Sequence, residues 1–369
     1  MMSSPSENQS STAAFSQSYA EAREKFLAAA HAAGIEVRSY VHPLRGRDGE
    51  TLAMDVARFG SDDAKSVLLL SSGTHGVEGF CGSGVQVALL PDRAFHAAAE
   101  AAGVAVLYIH ALNPYGFSWW RRTTHENVDL NRNFHDFSQP LPINPGYDEI
   151  AHALVLPHWP PKPEDEAVLQ AYVARHGHKG LQQAVTGGQY KYPQGLYYGG
   201  TSPTWSNQTL RRVLQQHGRR CDRVGWIDVH SGLGPNGVGE RIFFGPEDAG
   251  AVARARAWWG PQVTAIHEGG ASAARLEGLM YKCAYEECPQ AEYTGIVLEF
   301  GTVPWDETTQ AMRGEQWLEN HPEMAAPQAQ AIKQRLRDAF YTDTVAWKQA
   351  ILAQATGASV QAVQGLACR

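Results

Sequence analysis

The chain has 369 residues, 43% of them apolar, and a net charge of −7 at pH 7. That supplies a sizeable core, while the dispersed charges, with no basic stripe, exclude an obvious nucleic-acid or anionic-membrane partner. No apolar run approaches the ~20 residues of a membrane span, and five cysteines (Cys81, Cys221, Cys283, Cys288, Cys368) without a Cys-x-x-Cys pair argue against a disulfide framework or a four-cysteine zinc site.

Met1 to Ser11 is polar and Ser-rich, with neither a basic nor an apolar leader pattern. Residues 1–15 are therefore expected to form a disordered tail on a cytoplasmic protein. Tyr19, Ala22, Phe26, Leu27 and Ala30 fall at helical spacing before Gly34, which predicts a first amphipathic helix. Ile35–Tyr40 and Leu52–Phe59 alternate around Gly46-Arg47-Asp48-Gly49 and read as an edge hairpin. A buried strand at Ser66–Ser72, helical segments through Ala102 and a second buried strand at Val104–Ile109 follow. Strand, helix, strand in this order predicts an α/β sheet with parallel pairs.

The first of those strands runs into Gly73-Thr74-His75-Gly76-Val77-Glu78-Gly79. Glycines at 73, 76 and 79 let the backbone fold tightly enough to aim an imidazole and a carboxylate at one ion. An isolated His-x-x-Glu is more often a surface turn; its place after a buried strand, where α/β sheets gather ligands, favours a metal site. The second strand leads into Asn113 to Phe134, a polar loop studded with aromatics that holds Arg121, Arg122, Asp129, Asn131 and Arg132. Taken alone, such a loop is a salt-bridged surface feature.

Prolines from Pro140 to Pro163 break the α/β rhythm, so residues 136–205 are expected to be an irregular insertion, with a helix over Asp165–His176. It is either a pocket wall or a peripheral decoration. Tyr190, Tyr192, Tyr197 and Tyr198 fit a substrate wall and structural packing equally well. After a helix at Trp205–His217, the strand Val224–Gly232 delivers His230 at its carboxyl end. Gly232 to Gly237 matches Gly-x-Gly-x-x-Gly, but Pro235 and the strand-like Arg241–Phe244 rule out the helix a pyrophosphate site requires. Glu247–Trp259 is helical by pattern. Gly295–Thr302 is a final buried strand carrying Glu299, an acid whose burial is costly unless it is paired or functional. Helix then closes the chain over Ala326–Ala350, and 351–369 reads as a peripheral tail, leaving one domain over 16–350.

His-Gly-x-Glu at 75–78, an Asn-Pro loop at 113–114, an arginine and Asp-Leu-Asn-Arg at 129–132 resemble the zinc carboxypeptidase superfamily, and in loop wording its succinylglutamate desuccinylase/aspartoacylase branch. The fuller Gly-Thr-His-Gly-Val-Glu-Gly and Asn-Val-Asp-Leu-Asn-Arg-Asn-Phe resemble a bacterial group of that superfamily with no assigned function. The resemblance implies a mixed, mostly parallel twisted sheet flanked by helices, and Zn2+ held by His75, Glu78 and His230. Two imidazoles and one carboxylate in an open four-coordinate site suit zinc.

It further implies Glu299 as general base, Arg122 rather than Arg121 as oxyanion donor, and Asp129 as hydrogen-bond partner of a zinc histidine. An ion pair with a neighbouring arginine is the other reading of Asp129. Asn131 and Arg132 match the pair that grips a substrate carboxylate, with Arg121 beside them, and Tyr281 and Tyr285 lie where the superfamily places a tyrosine over the substrate. The expected activity is hydrolysis of an amide next to a free carboxylate, on a small peptide. The alternatives are an N-acyl amino acid deacylase, an esterase, or a non-catalytic zinc or peptide-binding module. No nucleic-acid or membrane partner is expected.

Overall fold

The computed structural model describes residues 12–367. Its centre is a mixed seven-stranded sheet in the order β1-β2-β4-β3-β5-β7-β6: β1 Val37–Arg45, β2 Thr51–Phe59, β3 Ser66–Ser72, β4 Val104–His110, β5 Arg223–Asn236, β6 Gly239–Phe243 and β7 Glu292–Gly301. The four inner strands β4, β3, β5 and β7 are parallel, and antiparallel pairs flank them on both sides. This is the expected carboxypeptidase-like α/β architecture, with the predicted hairpin as β1 and β2.

Period-two alternation sorts the strands' side chains between two cores. Leu68 and Leu70 of β3, Ile227 and Val229 of β5, and Ile296, Leu298 and Phe300 of β7 enter one layer with the helices at 19–32, 79–89, 249–259 and 345–367. Val67, Leu69, Val224, Trp226 and Val297 enter the other, beneath the helix 205–217. Asp228, His230 and Glu299 share the parity of this second set, so they emerge on its face of the sheet. From β3 the chain passes to β4 on one side and later to β5 on the other, so the carboxyl ends of β3 and β5 flank a topological switch point, where ligand crevices form.

Three expectations need correction. The segment 351–369 is no peripheral tail: one helix runs over Val345–Ala367, with Trp347, Ile351, Ala355, Ala358, Ala362, Val363 and Leu366 buried. Its small residues let it lie close to its neighbours; a Cβ at Gly365 would sit 2.3 Å from the Trp258 ring. At the other end the domain begins earlier than residue 16, because Phe15 is a core residue; the rest of the expected tail, residues 1–11, lies outside the described residues, as does Cys368. The insertion is also more regular than its prolines suggest. Pro145 and Pro163 open helices at Pro145–Leu154 and Pro163–Thr186, the position where a missing N–H costs nothing. Asn144 caps the first through the Tyr147 N–H, and the second bends at Gly177 (φ +72°).

Candidate metal centre

β3 ends in a turn at Gly73 (φ +66°) and passes into a single 3-10 turn at Gly76–Glu78. A Cβ at Gly76 would lie 2.1 Å from the Gly116 backbone, so only glycine allows the 113–118 segment to close over this turn. Backbone N–H groups of Gly76 and Val77 donate to the carbonyls of Arg122 and Arg121 at 3.1 and 2.8 Å. Strand β3 and the arginine loop are thereby fixed to each other before any side chain is considered.

His75, Glu78 and His230 are all buried, and their ligand atoms lie within 4.8 Å of one another. Both imidazoles turn Nδ1 toward the Glu78 carboxylate, His75 at 2.9 Å from Oε1 and His230 at 3.0 Å from Oε2. Both turn Nε2 toward an aspartate. His75 Nε2 is 3.2 Å from Asp129 Oδ1, and His230 Nε2 is 2.5 Å from Asp228 Oδ2. Nε2–H donation to an aspartate leaves the lone pair on Nδ1, the tautomer that ligates. Asp228 is itself held by the hydroxyls of Ser71 (2.6 Å) and Thr74 (3.0 Å).

Arg122 reaches Glu78, Asp129 and His75. Its Nη1 donates to Glu78 Oε1 and its Nε to Asp129 Oδ2, both at 3.0 Å, and Nη2 lies 2.8 Å from His75 Nε2. The last contact and the His75–Asp129 bond exclude each other, since Nε2 either accepts from Arg122 or donates to Asp129. In the ligating tautomer it donates, and Nη2 of Arg122 is free for another acceptor. Asp129 thus lies against both His75 and Arg122.

Glu299 stands beside His230 in the parallel register of β5 and β7. Its Oε1 accepts the Leu233 N–H at 3.1 Å. Burial, and then the charge of Glu78, push its carboxyl up to about 8. Burial pulls the His230 imidazole down, but Asp228 and Glu78 outweigh it and raise His230 well above its ordinary value. Negative charge contributes to both shifts, after burial in the case of Glu299 and against it in the case of His230: around the cluster, Arg122 and Arg132 face the carboxylates of Glu78, Asp129, Asp228 and Glu299, a surplus of two negative charges in a buried site. Retaining a proton on Glu299 and gaining one on His230 offsets that surplus; so would one divalent cation. The donor set and the charge both fit such an ion.

From this cluster a cleft extends, lined by Arg122, Asn131, Arg132 and Tyr197 together with the apolar Leu233, Ile242, Phe244, Leu279 and Val297. Arg132 is buried; its Nε and Nη2 donate to the Thr186 carbonyl and its Nη1 to that of Asn131. Each terminal nitrogen keeps a second N–H. Asn131 Oδ1 accepts the Met280 N–H at 2.9 Å, which leaves its NH2 group for the cleft it lines.

Three predicted site residues lie elsewhere. Arg121 points away from the cleft and pairs with Glu315 (3.0 Å) and Glu319 (3.3 Å) on the helix Trp305–Asn320. Tyr281 and Tyr285 do not line the cleft; Tyr281 packs edge-on with Phe244 and with Tyr285, and Tyr285 meets Tyr293. The sequence reading missed Asp228, although an acid two positions before His230 on a buried strand shares its face. It also missed the contribution of Thr186 from the insertion, a backbone carbonyl that no sequence pattern announces.

A family profile described as "Protein of unknown function (DUF2817)" matches residues 15–354. No curated protein matches the chain in sequence. Among solved structures, it is similar to bovine thrombin-activatable fibrinolysis inhibitor, solved in complex with tick carboxypeptidase inhibitor: 11% identity, TM-score 0.53, covering 95% of this chain and 97% of that one. It is also similar to the carboxypeptidase A from Helicoverpa armigera: 15% identity, TM-score 0.45, covering 89% and 75%. A Shewanella amazonensis SB2B protein of the succinylglutamate desuccinylase/aspartoacylase family is 16% identical, with TM-score 0.32 and coverage of 78% and 73%. At such identities a likeness speaks to fold alone, and only the first is close enough to carry that argument.

Proposed function

Since the chain belongs to the DUF2817 family, whose description assigns no activity, we propose from the site itself that it is a zinc-dependent hydrolase cutting an amide bond next to a free carboxylate. The observation that carries this reading is the joining of a buried His75, Glu78, His230 cluster to Glu299, the register neighbour of His230. A purely structural metal site needs no further carboxylate beside it. A zinc ion held by those three residues would supply Lewis-acid activation of a carbonyl and of a water.

The chain's own residues divide the remaining work. Glu299 Oε2, the oxygen not engaged by Leu233, takes a proton from the attacking water and returns it to the leaving amine. Arg122 turns its Nη2 to the carbonyl oxygen as charge develops there. Arg132 and Asn131 hold the substrate carboxylate through their remaining N–H groups, and the planar guanidinium suits that partner. Ile242, Phe244, Leu279 and Val297 give the cleft an apolar wall, so the side chain next to the carboxylate is apolar or aromatic.

A dipeptide and an N-acyl amino acid both present this arrangement, with the carboxylate on the amine side of the scissile bond. The deciding experiment measures metal content of wild type and His230→Ala, with hydrolysis of dipeptides and N-acyl amino acids ending in phenylalanine or leucine. About one zinc per chain, lost in the variant, with turnover of either series confirms the hydrolase and identifies its branch. A wild type that stays inert after zinc is added refutes it.

A further inference from the structure

As the donor to a developing oxyanion, Arg122 has to stand in one place, and the residues on either side of it are held by a single side chain. The turn that follows doubles back: the Thr124 N–H donates to the Val128 carbonyl at 2.9 Å, and the Asn127 N–H to the Thr124 carbonyl at 3.1 Å. Asn127 closes that turn at positive φ (+61°), a region asparagine enters more readily than most side chains. Its amide is thereby returned to the residues flanking Arg122. Oδ1 accepts from Arg121 Nη2 at 3.0 Å and from the Thr123 hydroxyl at 3.1 Å.

The other half of the amide meets the insertion. Nδ2 donates to the carbonyls of Pro193 at 2.9 Å and Gly195 at 3.1 Å, so all four hydrogen-bonding positions of the side chain are filled. Arg121 in turn pairs with Glu315 and Glu319, which Lys333 also binds. Asn127, which does not line the cleft, thus joins the arginine loop to the insertion and, through Arg121, to the helix Trp305–Asn320. The guanidinium of Arg122 goes instead to Glu78, Asp129 and His75.

We propose that Asn127 is a positioning residue: by anchoring both neighbours of Arg122 to the insertion, it sets where the Arg122 guanidinium stands at the metal centre. This rests on the reading of Arg122 as oxyanion donor. Such a donor acts through preorganisation, and a displacement of about 1 Å costs on the order of 10²-fold in rate. Loss of the anchor acts on the transition state and leaves the carboxylate grip of Asn131 and Arg132 as it was.

Asn127→Gly removes the anchor and keeps the left-handed turn. On zinc-reconstituted full-length protein, a phosphinic analogue of a dipeptide ending in phenylalanine puts an anionic tetrahedral oxygen at the reacting centre, whereas phenylalanine offers the carboxylate alone. The expected result is kcat lower by roughly 10–100-fold at unchanged KM, weaker calorimetric binding of the phosphinate, and unaltered phenylalanine binding and zinc content. In an Arg122→Ala background the same substitution should change nothing further, since nothing is left to position. Should Asn127→Gly fail to fold, Thr123→Val removes one of the two donors to Oδ1 and Thr123→Ser keeps it; a loss of kcat in the first alone is then expected. Equal losses with and without Arg122, a rise in KM at constant kcat, or weaker phenylalanine binding would overturn the assignment and leave Asn127 a structural tie. A wild type that binds the phosphinate no more tightly than phenylalanine has no oxyanion donor, so the reading of Arg122 fails first and Asn127 loses its role with it.

Discussion

The two aspartates behind the histidines decide which imidazole nitrogen carries the lone pair, and their effects differ. Asp129 is shared with Arg122 and lies 3.9 Å from Arg132, so removing its charge disturbs several partners at once. Asp228 serves His230, with two hydroxyls holding it in place, and is the cleaner probe. Asp228→Asn should weaken zinc binding about 10–100-fold while the fold persists, measured by competition against a chromogenic chelator; an unchanged affinity would mean that His230 is oriented by strand geometry alone. Glu299→Gln should do the opposite. It keeps the three ligands and the zinc content, and lowers turnover by about 10²–10⁴-fold. A variant that lost zinc as well as activity would instead make Glu299 part of the ligand cage.

At the scale of elements, the sequence was most legible where burial is two-sided. β3, β4 and β7 read as continuous apolar runs because both faces are covered, and their ends delivered His75, Glu78 and Glu299 to one crevice. Arg121 and Arg122 could not be ranked by local pattern, because what separates them is the distant helix Trp305–Asn320 that supplies Glu315 and Glu319 to one of them. Tyr281 and Tyr285 failed for the same reason, being drawn off by Phe244 and Tyr293. The helix Val345–Ala367 was under-read because alanine dominates its buried stripe and gives little contrast between its faces. Ile351, Val363 and Leu366 alone each stabilise by roughly 1.5–3 kcal/mol when buried. Together they are comparable with the roughly 5–15 kcal/mol that holds a domain folded. A chain ending at Ala350 should therefore fail to give a cooperative thermal transition by circular dichroism; a melting curve like that of the full chain would return this helix to the status of a decoration.

For the whole molecule, the surplus of negative charge at the centre couples stability to both metal and pH. An ion that binds only the folded chain stabilises it by about 2.7 kcal/mol at a hundred times its Kd, so chelation should lower the melting temperature and re-addition of zinc restore it. The metal-stripped protein should also have a characteristic pH response. Glu299, raised from its ordinary 4.5 to about 8, binds its proton more tightly folded than unfolded. Its stabilising contribution is complete below about pH 4.5 and is lost as pH rises through about 8. His230, also raised, acts in the same direction from its ordinary value of 6.5 upward. Glu78 and Asp129 are held below their ordinary values against the burial that would raise them, Glu78 chiefly by His75 and Asp129 chiefly by Arg122. Their contributions are present above about pH 4.5 and 3.8 and are lost only in acid. Between pH 5 and 8 the metal-free wild type should therefore lose melting temperature relative to Glu299→Gln. With zinc bound, the nearby cation favours the carboxylate, and the two curves should run parallel. A gap between wild type and variant that does not change with pH in the metal-free state, or that persists unchanged with zinc, would separate Glu299 from the metal centre and remove the electrostatic case for a shared site.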